Sequence, residues 1–238
     1  MDYIHQMFEG MGVPLWLTML GRLVFPIFLF LAADSFHYTH DRLAYLRRLL
    51  YMSWFMTIGN AIIGNVFHNG NVGLMNNAFS TFFITGIYIC SWDLLAKGLR
   101  DKSYKELIQG LGLFLFPIVV LAGILETPHA NPIVVQIVAF ILSLVPSILI
   151  AEGSFMMVIL GLLFYIFRTN RMAQIIVLAV ISVIAHLFDP TTVQWMMIFA
   201  VIPMYFYNGE RGSGNKNFFY IFYPAHIYLL WILASFFR

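Results

Sequence analysis

The chain is a succession of long apolar runs separated by short polar connectors. Nine such segments can be drawn, at residues 13–35, 49–67, 78–96, 107–125, 133–150, 155–167, 172–188, 195–207 and 218–237. None has the strict two-residue alternation of a membrane strand, which argues against a barrel. Residues 49–92 hold no Asp, Glu, Lys or Arg, and neither do residues 127–151 or 191–209. Charge-free runs of about 20 residues are what a membrane-crossing helix needs. The pattern predicts an all-α, polytopic transmembrane bundle of about nine segments, forming one integral-membrane domain over residues 1–238. No soluble domain, low-complexity tract or internal repeat is visible.

Composition agrees with this class. Hydrophobic residues make up 61% of the chain and charged residues 10%, against roughly 25% charged in a soluble domain. The single cysteine, Cys90, excludes an intrachain disulfide and any multi-cysteine metal site. A net charge of +2 gives no reason to expect a nucleic-acid partner.

The placement of charge says more than its sum. Lys and Arg concentrate in cytoplasmic loops. Arg42, Arg47 and Arg48 follow the first segment, and Lys97, Arg100, Lys102 and Lys105 follow the third. These connectors are expected inside and the start of the chain, with Asp2 and Glu9, outside. The second half stays open. Nine full crossings put Arg168, Arg171, Arg211 and Lys216 outside. A single net crossing of residues 133–167, with a re-entrant half near Pro146 and the break at residues 151–154, puts them inside.

Polar residues within apolar runs are costly and mark functional candidates. His226 follows Pro224 in such a run. Arg22 sits near the middle of the first segment, where snorkelling to a headgroup is difficult, and Pro26 shares its face. Asp34 and His37 lie one turn apart near the end of the same segment. A carboxylate beside an imidazole suits a general base, although the same pair also reads as ordinary interfacial polarity. Asn60 and Asn77 are candidate interhelical hydrogen-bonders. Glu152 lies in a break where it could line a cavity. No two histidines stand at the spacing of a helical zinc site, so no metal is expected. These residues fit two classes: a group-transferring membrane enzyme, or a small-molecule transporter or channel-like protein with a polar central cavity. Paired Gly/Pro-broken helices of an inverted-repeat transporter are not visible.

Several stretches carry a resemblance. They are Leu20-Gly21-Arg22-Leu23-Val24-Phe25-Pro26-Ile27-Phe28, Ala33-Asp34-Ser35-Phe36-His37, Tyr45-Leu46-Arg47-Arg48, Asn76-Asn77-Ala78-Phe79-Ser80-Thr81 and Tyr223-Pro224-Ala225-His226. In this order they resemble the TraX family, whose founding member is the F-pilin acetylase of conjugative plasmids. They cover both ends and the first third of the chain, while residues 107–209 match only in hydropathy.

The resemblance implies acetyl transfer from acetyl-CoA to an amine or hydroxyl, in a bacterial cytoplasmic membrane. The acceptor would be a pilin-like peptide, a sugar or a lipid, and membrane lipid would surround the chain. It implies His226 or His37 as general base with Asp34 beside it, and Asp2 with His5 as a second pair. Arg22, Asn60, Asn77, Glu152 and Tyr223 would lie on the substrate side. The basic loop of Arg42, Arg47 and Arg48 would meet the phosphates of CoA. Two departures stand out. The family usually has Glu at the position of Asp34. It also opens with a full span ending in an Asp-His pair. Here Asp2 stands in the Asp position, Tyr3 in the His position, and the span before Asp2 is absent. With that span restored the bundle would have ten helices.

Overall fold

The computed structural model describes residues 4, 7–8, 14–69, 73–125, 140, 144–147, 152–210 and 218–237. Asp2 and His5 lie outside the described residues. Among those described, every long element is helical: α1 (Trp16–Tyr38), α2 (Arg42–Val66), α3 (Ala78–Asp101), α4 (Tyr104–Leu125), α5 (Ser154–Ile166) and α6 (Arg171–Phe188). A 3₁₀ helix (Val193–Ala200), α7 (Val201–Phe206) and α8 (Phe218–Phe236) complete the set. Five helices, α1, α2, α3, α6 and α8, are long and apolar enough to cross a membrane. The segment at residues 133–150 lies largely outside the described residues.

Local chemistry sets the helix ends. Asp41 Oδ1 accepts from the Ala44 amide at 2.8 Å and starts α2. Asn77 accepts from the Ser80 amide at 3.2 Å, and Asn170 from Ala173 at 3.1 Å, opening α3 and α6. Each satisfies an amide that the helix itself leaves without a partner. Lys102, at φ 52°, ends α3 in the left-handed conformation, with the Ser103 amide bonded to the Gly98 carbonyl at 2.9 Å. Pro203 falls inside α7. Its missing N–H and the clash of its ring with the carbonyl one turn back disfavour α winding before it. The 3₁₀ helix occupies that position.

The chain forms two compact units, and α1 and α2 contribute residues to each. One comprises residues 32–57 and 77–166. Its centre is α3, whose first half is buried almost without interruption. Small residues let its neighbours come close, as usual between membrane helices. A Cβ at Gly98 would stand 2.9 Å from the Leu107 backbone, and one at Gly110 would stand 3.1 Å from that of Leu95. These pairs, with Tyr88 against Phe114, make α3 and α4 antiparallel.

The direction of α5 follows from two bonds. Thr81, in the first turn of α3, donates to the Glu152 carbonyl at 2.9 Å. Tyr165, at the far end of α5, donates to Asp93 at 2.7 Å. So α5 runs parallel to α3. Nine alternating crossings would make these two helices antiparallel. Of the two topologies that charge leaves open, the direction of α5 favours the one without nine alternating crossings: Leu125 and Glu152 both lie at the Ala78 end of α3, and the chain leaves α5 on the Arg42 side.

The other unit comprises residues 1–31, 58–76 and 167–238. Here α8 packs on the end of α2. Trp231, 1% exposed, donates from its indole to the Phe67 carbonyl at 2.8 Å. Tyr228 lies against Gly59, where any Cβ would run into its hydroxyl. Phe28 of α1 meets Phe219 at 5.3 Å.

Candidate functional site

Three helices of the α3-centred unit bring polar side chains to one place. Arg42 opens α2, Asp93 lies two-thirds of the way along α3, and Tyr165 nearly ends α5. Arg42 Nη1 donates to Asp93 Oδ2 at 2.6 Å, and Arg42 Nη2 donates to the Tyr165 hydroxyl at 3.1 Å. That hydroxyl donates in turn to Asp93 Oδ2. The three groups close a ring of hydrogen bonds. Each fixes the orientation of the other two, which is what a preorganised site requires. Buried Phe36 lies under the guanidinium, 5.1 Å from ring centroid to Cζ. Cys90, one turn before Asp93, lies within electrostatic reach of Arg42.

His37 joins this group through Tyr165. Its ring lies edge-on to that of Tyr165, with centroids 6.2 Å apart, and edge-on to Tyr38 at 5.0 Å. The imidazole is exposed, while Asp34, one turn earlier on α1, is half-buried. The short link between α1 and α2 puts both helix ends at one level, so an imidazole and a guanidinium flank the same tyrosine.

Chemically, the ring pairs one guanidinium with one carboxylate and leaves N–H donors to spare. Guanidinium has five N–H donors, and the bonds to Asp93 and Tyr165 use two of them. Donors held this way can meet a phosphate or a developing oxyanion. Arg47 and Arg48, on the next turns of α2, are exposed and have no ion pair among the described residues. Next to this group, Lys97 pairs with Glu106 across the α3–α4 turn and holds its carboxyl below the usual range.

His226 belongs to the other unit. It is half-buried on α8, stacked on Phe222 at 4.9 Å and edge-on to buried Tyr223 at 5.7 Å. Its Nδ1 lies 2.8 Å from the Phe222 carbonyl. A carbonyl only accepts, so Nδ1 carries the proton and Nε2 is the nitrogen able to take one. Arg22, in α1 of the same unit, is half-buried. Asn60 there donates to the Asn76 carbonyl at 2.9 Å.

The remaining expected residues have structural tasks. Asn77 caps α3 and also donates to the Ser53 carbonyl and hydroxyl at 3.0 and 3.1 Å, tying α3 to α2. Glu152 lends its carbonyl to Thr81. Among the described residues no three His, Cys, Asp or Glu side chains converge on a point that would hold a metal ion. Asp93 and Tyr165 were not singled out as site residues by sequence. A signal did exist: Asp93 is the one carboxylate between Asp41 and Asp101. A lone carboxylate in an apolar run needs a cation.

The family model described as TraX protein matches residues 1–234. The chain belongs to the TraX family. No curated protein and no solved structure matches it. TraX membership covers the whole helical array, including residues 107–209, where the sequence motifs alone were silent. This is a TraX-family membrane protein with several apolar helices.

Proposed function

We propose that this TraX-family protein is a membrane-embedded acetyltransferase, which moves acetyl from acetyl-CoA to an amine or hydroxyl of a pilin-like peptide or another envelope acceptor. The observation that carries the proposal is the Arg42–Asp93–Tyr165 ring with His37 against its tyrosine. Acyl transfer needs a base to deprotonate the acceptor and a fixed donor to meet the carbonyl oxygen as negative charge develops there. Arg42 supplies the donor. His37, against the same ring, is the base, and His226, in the other unit, is the second candidate imidazole. Acetyl-CoA also brings phosphates, and Arg47 and Arg48 are the exposed cations beside Arg42 that would hold them.

In the reaction, acceptor nitrogen or oxygen attacks the thioester carbonyl while its proton passes to the imidazole. The tetrahedral intermediate collapses, the carbon–sulfur bond breaks, and CoA leaves as the thiol once it is protonated.

The test uses purified full-length protein in detergent. Acetyl-CoA is expected to raise its melting temperature through binding to the folded state. Neutralising Arg47 and Arg48 together is expected to weaken that shift. Mass spectrometry of envelope fractions from cells with and without the protein should show an acetylated species only when it is present. No shift with acetyl-CoA and no acetylation difference in any fraction would overturn the proposal.

A further inference from the structure

Arg171 opens α6 and sits in the corner of two aromatic rings. Its Cζ lies 4.5 Å from the centroid of Phe30 and 5.0 Å from that of Tyr207. The rings meet each other at right angles, 89°, with centroids 5.4 Å apart. Phe30 is 2% exposed while Tyr207 and Arg171 are half-buried, so the corner lies at the edge of the packed interior of its unit. The guanidinium makes one hydrogen bond, from Nη1 to Oε1 of buried Gln174 at 3.3 Å. Among the described residues it has no carboxylate partner.

The arrangement has a specific chemical meaning. Aromatic faces attract a cation and fix its plane, but they carry no charge to neutralise it. Gln174 is neutral too. Most of the guanidinium N–H groups are therefore left without a partner among the described residues, in the planar fork that matches a phosphate. The helix dipole pushes the same way, since it puts partial positive charge at the first turn of α6. A half-buried positive charge, oriented by packing and with no counter-ion among the described residues, is completed by an anion.

We propose that Arg171, held by Phe30 and Tyr207, is a phosphate-binding site in the unit that does not contain the Arg42 ring. Its ligand is a phosphate group, carried by an anionic lipid headgroup or by a nucleotide. The site stands on its own geometry and does not depend on acetyl transfer.

The experiment measures melting of purified full-length protein in a zwitterionic detergent against two probes: dihexanoyl phosphatidic acid and adenosine 3′,5′-bisphosphate. At least one probe is expected to raise the melting temperature. Arg171→Gln should weaken its apparent affinity about tenfold or more, the loss expected for a charge-assisted hydrogen bond. Tyr207→Leu, which removes one face of the corner and keeps the charge, should weaken it by a smaller factor. A response to phosphatidic acid alone identifies the source as lipid, and a response to the bisphosphate alone identifies it as nucleotide. If Arg171→Gln does not fold, Arg171→Lys takes its place, with the same loss expected because Lys lacks the planar fork. The proposal is overturned by a wild-type protein that responds to neither probe, or by a response that the Arg171 variant retains in full.

Discussion

Arg42 and Asp93 are 51 residues apart in sequence and 2.6 Å apart in the fold. Each side chain is about one-third exposed, at 32% and 33%. A pair at this depth is only partly shielded by solvent, so removing one partner leaves the other poorly compensated. Asp93→Asn should lower stability by about 1–3 kcal/mol, read as a shift of thermal unfolding in detergent. The double variant with Arg42→Gln should be less destabilised than the two single effects combined, because the orphaned charge is gone. Strict additivity would show that the pair does not act as a unit.

Acetyl transfer offers the sharper readout of the same ring. Arg42→Ala is expected to reduce turnover by about 100-fold or more, the scale for loss of one oxyanion donor. Tyr165→Phe keeps the ring's shape and loses only the hydroxyl, so a smaller fall is expected. Of the two imidazole variants, His37→Ala and His226→Ala, the one lacking the base should lose transfer while still binding acetyl-CoA. Full activity in both would remove these residues from the chemistry.

Much of the fold is legible in the sequence because apolar length is a strong signal in a membrane. The starts of α3 and α6 are also legible, since Asn77 and Asn170 are standard capping residues. The direction of α5 is not. Charge bias assigns a side to each loop only when crossings can be counted, and residues 126–151 carry no Lys or Arg at all. It took two side-chain bonds, at Thr81 and Tyr165, to orient the helix. Tyr165 itself was hidden for a related reason. In a chain with 12 tyrosines, one more inside an apolar helix reads as packing. Asp34, His37 and Arg42 were visible as candidates because charge and imidazole are rare in such a chain.

Lys102 adopts φ 52°, where a side chain is strained and glycine is not. Lys102→Gly should therefore stabilise the α3–α4 turn by about 1 kcal/mol, with no change at the Arg42 ring. Denaturation of the purified variant would check this. A lower stability would mean that the lysine side chain contributes more than its backbone strain costs.

Gly59 tests the packing of α8. Gly59→Ala would place a methyl against the Tyr228 ring and hydroxyl. Overpacking of this kind costs about 1–3 kcal/mol. Adding Tyr228→Leu to the same chain should recover part of the loss. Melting temperatures of the single and double variants decide it.

Asp189 gives a pH dependence. The Thr191 hydroxyl and amide hold its carboxyl below the usual carboxylate range. A carboxyl depressed in the folded state stabilises fully above its unfolded pKa of about 3.9. That contribution is lost as pH falls through the lower, folded value. The turn at residues 189–192 should loosen in acid, visible as a lower hydrogen-exchange protection factor at the Thr191 amide once the pH dependence of the intrinsic rate is divided out. In Asp189→Asn this acid-dependent component should be absent.

The 3₁₀ winding of Val193–Ala200 changes how far the chain reaches. Its eight residues rise about 2.0 Å each, and the six of α7 about 1.5 Å each. Together they extend about 25 Å, where an α-helix of equal length would reach about 21 Å. The hydrocarbon core of a bilayer is about 30 Å thick. Tighter winding thus recovers about 4 Å, a little under half of the shortfall of about 9 Å. The winding sets the reach of this segment apart from its residue count, at about 4 Å more than an α-helix gives.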